Sequence, residues 1–112
     1  MLQTVVETQT FLRRAAKLLT SDEHAALIVW LARYPTSGVE VVGTGGVRKL
    51  RFGAKGRGKS GGVRVIYYFH DRDVPIYALL LYGKSERADL TADERKSVAT
   101  FAAAIKATRR RG

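Results

Sequence analysis

The chain has 112 residues, of which 46% are hydrophobic and 27% charged, a composition typical of one folded domain. It has no cysteine and only two histidines, which excludes a disulfide framework, a thiol nucleophile and a thiolate metal site. No apolar run approaches the roughly 18 residues of a membrane span, and no basic and then apolar leader begins the sequence. We therefore expect a single cytoplasmic domain over residues 1–112, without metal, cofactor or membrane contact.

The charge is large and unevenly distributed. Twenty basic and ten acidic residues give a net charge of +10, which predicts a polyanionic or acidic partner. Residues 1–42 carry four basic and four acidic side chains, whereas residues 43–64 carry seven basic side chains and no acidic one. The run Arg109 to Arg111 is expected to be a solvated, frayed end of the chain. The segment 43–64 is therefore the first candidate for a functional surface.

Helical patterns dominate the first third of the chain. Residues 3–8 are compatible with a short strand, and apolar residues at helical spacing predict helices over 9–19 and 21–34. Thr20 and Glu23 fit a capping box at the start of the second helix, and Pro35 ends it. The stripe on this second helix includes Trp30, which is expected to lie in the core.

Strand patterns follow. Residues 35–46 are predicted to form a loop with a short apolar patch at 39–42. Strands are predicted over 47–52, 63–70 and 74–82, the second and third joined by a turn at 71–73. Tyr67 and Phe69 are expected to be core residues, and His70 to belong to the turn. His24 is expected on a helix surface.

A second capping box, Thr91 with Glu94, predicts a C-terminal helix that ends at about residue 107. The element order is then (β)-α-α-β-β-β-α. It predicts an α+β fold: a small antiparallel sheet of three or four strands, two N-terminal helices and one C-terminal helix. We expect the helices to cover one face of the sheet and to leave the other free for function.

The glycine-rich segment 53–62 matches the pattern of a phosphate-binding P-loop from Gly53 to Ser60. A strand is predicted after it, however, and the P-loop mechanism needs the amides of a helix N-terminus. Nucleotide binding is therefore disfavoured. The interpretation as a solvated loop is also weakened, because the seven like charges of residues 43–64, without one carboxylate among them, repel each other.

A hairpin around 71–73 would bring position 64 near positions 80–82 and Lys84 to the same end of the sheet. The site predicted there combines four basic residues, namely Arg57, Lys59, Arg64 and Lys84. Glu86 and Arg87 are expected on its rim, with Glu86 either paired to Arg64 or Lys84 or standing free as a rim charge. Clustered cations of this kind bind phosphate without metal or histidine.

Four segments carry a family resemblance, namely Gly43-Thr44-Gly45-Gly46-Val47-Arg48-Lys49-Leu50-Arg51, Gly56-Arg57-Gly58-Lys59-Ser60-Gly61-Gly62-Val63-Arg64-Val65-Ile66-Tyr67-Tyr68, Leu81-Tyr82-Gly83-Lys84-Ser85-Glu86 and Asp89-Leu90-Thr91. They resemble the RelE/HigB family of toxins from type II toxin–antitoxin systems, and in particular its HigB-like branch. The resemblance covers residues 43–107 well. It implies a microbial-ribonuclease-like α/β fold and a ribosome-dependent endoribonuclease that cleaves mRNA in the A site.

The resemblance also implies roles for individual residues. Arg64 matches the phosphate-binding arginine of the family, and Lys84 lies in its Gly-Lys segment. Its catalytic basic cluster is matched by Lys55, Arg57 and Lys59. The sequence departs from some relatives at Ser85, where they have arginine, and at Thr91, where they have a catalytic tyrosine. Further residues are predicted to bind RNA, and they are Arg48, Lys49, Arg51, Lys55, Tyr68, Tyr82 and Arg87. The two tyrosines either stack on a base or pack in the core.

The resemblance implies three macromolecular partners: a neutralising antitoxin, the ribosome and its mRNA. Operator DNA, reached through the antitoxin, is a partner that it leaves open. Two alternatives compete with the endoribonuclease. One is a ParE-like toxin that inhibits DNA gyrase on the same fold, against which the dense basic cluster argues. The other is a non-catalytic module that binds RNA or the ribosome through the same cations.

Overall fold

The computed structural model describes residues 2–53 and 62–111. Its helices and strands, in chain order, are β1 (Val5–Glu7), α1 (Gln9–Leu18), α2 (Ser21–Arg33), β2 (Val39–Glu40), β3 (Val47–Phe52), β4 (Val63–Tyr68), β5 (Ile76–Gly83) and α3 (Ala92–Arg111). The α+β class, the two N-terminal helices and the C-terminal helix are as predicted.

The sheet is larger than expected and is not purely antiparallel. Its described strands lie in the order β1-β5-β4-β3-β2. β3, β4 and β5 form the predicted antiparallel meander, and β2 pairs antiparallel to β3. β1 instead runs parallel to β5, with Val5 opposite Ile76. The prediction of three or four antiparallel strands is therefore corrected to a mixed sheet of five, whose two additional members are short edge strands.

Helices cover both faces of the sheet, which corrects the expectation that one face is left free. α1 and α2 pack one core with Phe11, Leu27 and Tyr67, and α3 packs a second core with Val98 and Tyr68. The reason lies in β4 and β5, which are apolar on both faces. A sheet of that composition is stable only when both faces are removed from water.

Local signals at the helix starts are confirmed. The Thr20 hydroxyl accepts from the Glu23 N–H, and the Glu23 carboxylate accepts from the Thr20 N–H. Thr91 and Glu94 form the same reciprocal pair at the start of α3. Each box satisfies two amides that have no partner within the helix, so both helices begin where the sequence predicts.

Two further expectations are wrong, one about the burial of a residue and one about the end of a helix. Trp30 is 43% exposed, because the buried stripe of α2 runs through Leu27 and Leu31 and leaves the indole against Tyr34. α3 continues to Arg111 instead of ending at about 107. Its last turns are attached to the segments that connect the strands, since the Lys106 ammonium donates to the Gly45 carbonyl before β3 and Arg109 pairs at 3.3 Å with Asp71 in the turn after β4.

Candidate functional site

The register of the central strands brings two arginines side by side. Arg51 on β3 lies directly opposite Arg64 on β4, and Arg64 lies directly opposite Tyr82 on β5. The sequence placed position 64 near 80–82, and this register confirms it. Cross-strand neighbours on one face have Cβ atoms about 4.5–5.5 Å apart, so like charges at such positions repel each other. An anion between the two guanidinium groups would relieve that repulsion.

Strand alternation places both arginines on the face of α3. Val63 and Val65 belong to the core under α1 and α2, so Arg64 between them projects to the opposite face. Leu50 belongs to the same first core, which puts Arg51 on the face of Arg64. Arg51 is exposed and Arg64 half-buried. Together with Phe52, Gly53 and Gly62 they line an open pocket of about 140 Å³.

Lys84 is brought to this end of the sheet through the backbone. Its N–H donates to the Gly62 carbonyl at 3.0 Å, immediately after the pairing of Val63 with Gly83. Gly62 in turn packs closely on β3, because a Cβ at this position would lie 2.9 Å from the Phe52 carbonyl oxygen. Lys84, Arg64 and Arg51 therefore occupy one corner of the sheet, which we call the cationic corner.

The three cations of the corner have no carboxylate within ion-pair distance in residues 2–53 and 62–111. The expectation that Glu86 either pairs with Arg64 or Lys84 or stands free is corrected. Glu86 pairs with Arg14 of α1 and accepts a hydrogen bond from the Gly83 N–H at 2.7 Å. This leaves three uncompensated positive charges beside an open pocket.

The wall of the corner consists of basic residues that do have partners. Arg87 pairs with Glu94 at 2.6 Å and its guanidinium carbon lies 4.6 Å from the centre of the Tyr82 ring. Asp89 lies between Lys49 and Arg95, 3.5 Å from each. The wall therefore carries compensated charge. Arg51, Arg64 and Lys84, which belong to the same basic surface, carry charge that no described carboxylate compensates.

The carboxylates of the wall are held in their charged form. The Leu90 N–H, and then the Lys49 and Arg95 charges, keep the pKa of Asp89 below its ordinary value despite partial burial. Burial by itself raises the pKa of Glu94, but hydrogen bonds from Thr91 and Arg87 outweigh it and lower the pKa. Both side chains consequently remain anionic at neutral pH and keep Lys49, Arg87 and Arg95 engaged.

Of the two alternatives left open for Tyr68 and Tyr82, the structure supports packing in the core over stacking on a base. Both rings are fully buried in the core under α3, and Arg87 lies over the ring of Tyr82, so neither offers a free face. Burial raises the pKa of Tyr82, Asp89 adds to the rise, and Arg87 and Arg64 oppose it. The Tyr82 hydroxyl has no hydrogen-bond partner among the described residues.

Arg48 lies on the wrong face for the predicted site, which corrects its assignment to RNA binding. It shares the face of Leu50, on the side of α1 and α2, and its guanidinium donates to the carbonyls of Thr36 and Gly38 at 3.2 and 2.7 Å. These bonds tie β3 to the segment after α2. Alternation along β3 explains the difference between Arg48 and Arg51. The two residues are three positions apart, and positions an odd number apart along a strand point to opposite faces of the sheet.

The other expected residues divide between core and surface. Tyr67 is fully buried, as expected, and its hydroxyl donates to Pro35 and accepts from Gly38, both at 2.8 Å. Phe69 is half-buried against the first core. His24 contacts Glu7, and His70 contacts Asp71 at the far end of the sheet.

Part of the predicted site lies outside the described residues, namely Lys55, Arg57 and Lys59. Within the residues that are described, no group of three or more His, Cys, Asp or Glu could hold a metal ion. No described helix is long and apolar enough to cross a membrane.

Sequence reasoning missed three functional neighbours of the corner: Arg14, Asp89 and Glu94. Glu94 was identified only as a helix cap, and it serves in addition as the partner of Arg87. Arg14 lies 72 positions before Glu86, and no local pattern links the two. The excess of carboxylates over 86–94 was the available signal for Asp89 and Glu94.

Fold and site together define a small α+β protein with a cationic corner at one end of its sheet. A family model described as the RelE toxin of the RelE / RelB toxin–antitoxin system matches residues 3–111. The chain therefore belongs to the RelE toxin family; its place in the HigB-like branch stays a prediction. Among solved structures it is similar to an arginine-to-alanine double mutant of the E. coli toxin RelE in the free state. That match has 21% identity and a TM-score of 0.56, and covers 89% of this chain and 96% of the other.

Proposed function

We propose that this member of the RelE toxin family is a ribosome-dependent endoribonuclease that cleaves mRNA in the A site. The observation that carries the proposal is the cationic corner. Arg51 and Arg64 occupy directly opposite positions on the neighbouring strands β3 and β4, and no described carboxylate forms an ion pair with either. Two adjacent unpaired guanidinium groups beside an open pocket suit a phosphodiester, which can accept bonds from both.

The proposed reaction is an internal transesterification that needs no metal. The 2′-oxygen loses its proton and attacks the adjacent phosphorus, the bond from phosphorus to the 5′-oxygen breaks, and that oxygen takes up a proton. Arg64 stabilises the extra negative charge on the phosphoryl oxygens, because fixed positive charge is most effective where charge develops in the transition state. Arg57 is proposed to act in the same way.

Lys84 and Lys59 are the proposed proton-transfer groups. Arginine remains protonated at any physiological pH, so it is unsuited to take or give the proton. A lysine amine, unlike a guanidinium group, can release and take up a proton and can therefore serve as a general acid or base. Arg51 and Lys55 are proposed to hold the RNA backbone on either side of the scissile bond. Lys49 and Arg87 are proposed to add a weaker attraction for RNA, because Asp89 and Glu94 already engage them.

The ribosome is proposed to supply the substrate geometry. The two tyrosines that sequence reasoning offered as base-stacking platforms are buried, which leaves the described part of the corner suited to the backbone of RNA. Activity on free RNA is therefore expected to be low, and positioning by the ribosome is expected to raise it. The toxin–antitoxin family further supports a cognate antitoxin as the neutralising partner and a cytoplasmic site of action.

The test uses the purified full chain and ribosomes programmed with a defined mRNA. The proposal predicts products with a 5′-hydroxyl on one fragment and a cyclic or 3′ phosphate on the other, formed only with ribosomes present. Arg64→Ala is expected to abolish cleavage while it leaves the circular dichroism spectrum unchanged. Binding to ribosomes without any cleavage would support the non-catalytic alternative. Loss of DNA supercoiling in expressing cells with intact mRNA would support the gyrase alternative.

A further inference from the structure

A side chain from the opposite side of the sheet reaches the turn that contains Lys84. Arg14 lies on α1, which packs on the face away from Arg64. Its guanidinium Nε donates to the Leu81 carbonyl at 3.3 Å, and its Nη2 pairs with Glu86 Oε1. Arg14 is only 26% exposed in this position. The contact therefore links α1 to the end of β5 and to the residues that follow it.

Glu86 passes this link on to the turn that contains Lys84. Its Oε1 accepts from the Gly83 N–H at 2.7 Å, and its own N–H donates to the Gly83 carbonyl at 3.0 Å. A Cβ at Gly83 would lie 3.4 Å from the same carboxylate oxygen, so the approach is close. On its other side, the Lys84 N–H donates to Gly62. The Lys84 backbone is thus fixed from both directions.

The pairing also decides which cation Glu86 compensates. Glu86 is two positions from Lys84, and a carboxylate in that position would compete with RNA for the lysine ammonium. Arg14 and the Gly83 N–H engage Glu86, and they hold the pKa of its carboxyl below the ordinary value of 4.5. The Glu86 carboxylate therefore compensates the charge of Arg14, and Lys84 forms no ion pair with a carboxylate among the described residues.

We propose that Arg14 and Glu86 are positioning residues that fix the turn of Lys84 and keep its ammonium available to the scissile phosphate. The proposal rests on the proposed endoribonuclease function for its consequence, but its structural part stands on the contacts alone. Arg14 lies on the far face of the sheet. In this proposal it does not contact the substrate and acts on Lys84 through Glu86 and Gly83.

The test compares Arg14→Ala with Arg13→Ala, a matched control. Arg13 is the adjacent residue of α1, it is exposed, and its side chain makes one long hydrogen bond, to the Thr10 hydroxyl at 3.4 Å. Both variants remove one positive charge. Arg14→Ala is expected to lower the single-turnover cleavage rate at saturating ribosome complex by about 10-fold, with little change in the half-saturating concentration. Arg13→Ala is expected to stay within about 2-fold of wild type.

Two further variants separate positioning from a merely structural role. Arg14→Lys keeps a donor that can reach either Leu81 or Glu86, so it is expected to restore part of the rate. In a Lys84→Ala background, Arg14→Ala is expected to lower the rate by no more than about 2-fold, because residues that act as a unit are not additive. A full additional 10-fold loss in that background would overturn the proposal.

Amide hydrogen exchange at Gly83 provides a readout that does not depend on catalysis. Exchange is expected to be about 10-fold faster in Arg14→Ala than in Arg13→Ala, because the Gly83 N–H loses a fixed acceptor. Unchanged protection of Gly83 would overturn the positioning claim whatever the cleavage assay gives. Inactive wild-type protein with accelerated exchange in Arg14→Ala would instead refute the endoribonuclease and leave the positioning of the turn standing.

Discussion

The two ends of the sheet differ in whether acidic residues compensate their basic side chains. At the far end, Asp71 accepts from His70 at 2.7 Å and from Arg109 at 3.3 Å, and Arg109 also lies 3.5 Å from Asp73. These contacts attach the last turns of α3 to the turn before β5. At the cationic corner, Arg51 and Arg64 lie side by side with no carboxylate partner in the described residues.

This difference teaches that net charge alone does not locate a function. Both ends carry several basic residues, but at the far end Arg109 is matched by Asp71 and Asp73 and serves the fold. An exposed matched pair contributes little stability and attracts no ligand strongly. Unmatched cations raise the energy of the free protein and are relieved by an anionic ligand, so the corner is where RNA is expected to bind.

The largest expected effect comes from removing the central cation of the corner. Arg64→Ala is expected to slow ribosome-dependent cleavage by at least about 100-fold, because it removes fixed positive charge at the phosphoryl oxygens. Growth of cells that express the variant without an antitoxin should then match that of cells with empty vector. If Arg64→Ala remains as toxic as the parent at equal protein level, its catalytic role is refuted.

The second effect concerns proton transfer at the same corner. Lys84→Ala is expected to lower the single-turnover rate about 10- to 100-fold. Lys84→Arg keeps the charge but cannot exchange a proton near neutral pH, and it should be nearly as slow as Lys84→Ala. Recovery of the wild-type rate in Lys84→Arg would show that Lys84 contributes charge alone.

Two buried tyrosines extend the comparison to hydroxyl groups, because the hydroxyl of Tyr67 has hydrogen-bond partners and that of Tyr82 has none among the described residues. Tyr67→Phe removes a hydroxyl that accepts from Gly38 and donates to Pro35, so the Gly38 N–H is left buried. Its expected cost is about 1–3 kcal/mol of unfolding free energy. Tyr82→Phe removes a hydroxyl that has no partner in the described part of the chain, and it should change stability by less than about 0.5 kcal/mol. Equal losses in urea unfolding would contradict this account.

The smallest expected effect is the acid response of the turn after β5. Arg14 first, and then the Gly83 N–H, keep the folded pKa of Glu86 below its ordinary value of 4.5. A carboxyl with a depressed folded pKa stabilises the protein above its unfolded pKa, and this contribution is lost as the pH falls through the folded value. The stability advantage of wild type over Glu86→Gln should therefore be constant from about pH 7 to pH 5 and shrink below that. An advantage that grows on acidification would contradict the pairing.

The central hairpin and both helix starts were predictable because their determinants are local. The alternation of Val63, Val65 and Tyr67 with Arg64 fixes which face β4 buries, and the turn at 71–73 sets its antiparallel pairing with β5 to within the one-residue shift at Ile66 and Tyr67. The edge strands were harder to predict. β1 has three residues, and its parallel pairing with β5 joins segments about 70 positions apart, which no short-range pattern encodes.

The cationic corner was predictable in position but not in composition. Period-two alternation identified Arg64, and the hairpin register brought Lys84 to the same end. The same alternation, applied to β3, would have separated Arg48 from Arg51. The pairing of Glu86 with Arg14 depends on how α1 packs against the sheet, so it required the tertiary structure.

The most direct measurement of the central claim is the ratio of single-turnover cleavage rates for Arg64→Ala and Arg109→Ala on the same programmed ribosomes. Each variant removes one arginine, one from the unmatched corner and one from the matched far end. We predict that Arg109→Ala retains the wild-type rate within about 3-fold and exceeds Arg64→Ala by at least about 100-fold. Equal rates for the two variants would contradict the account.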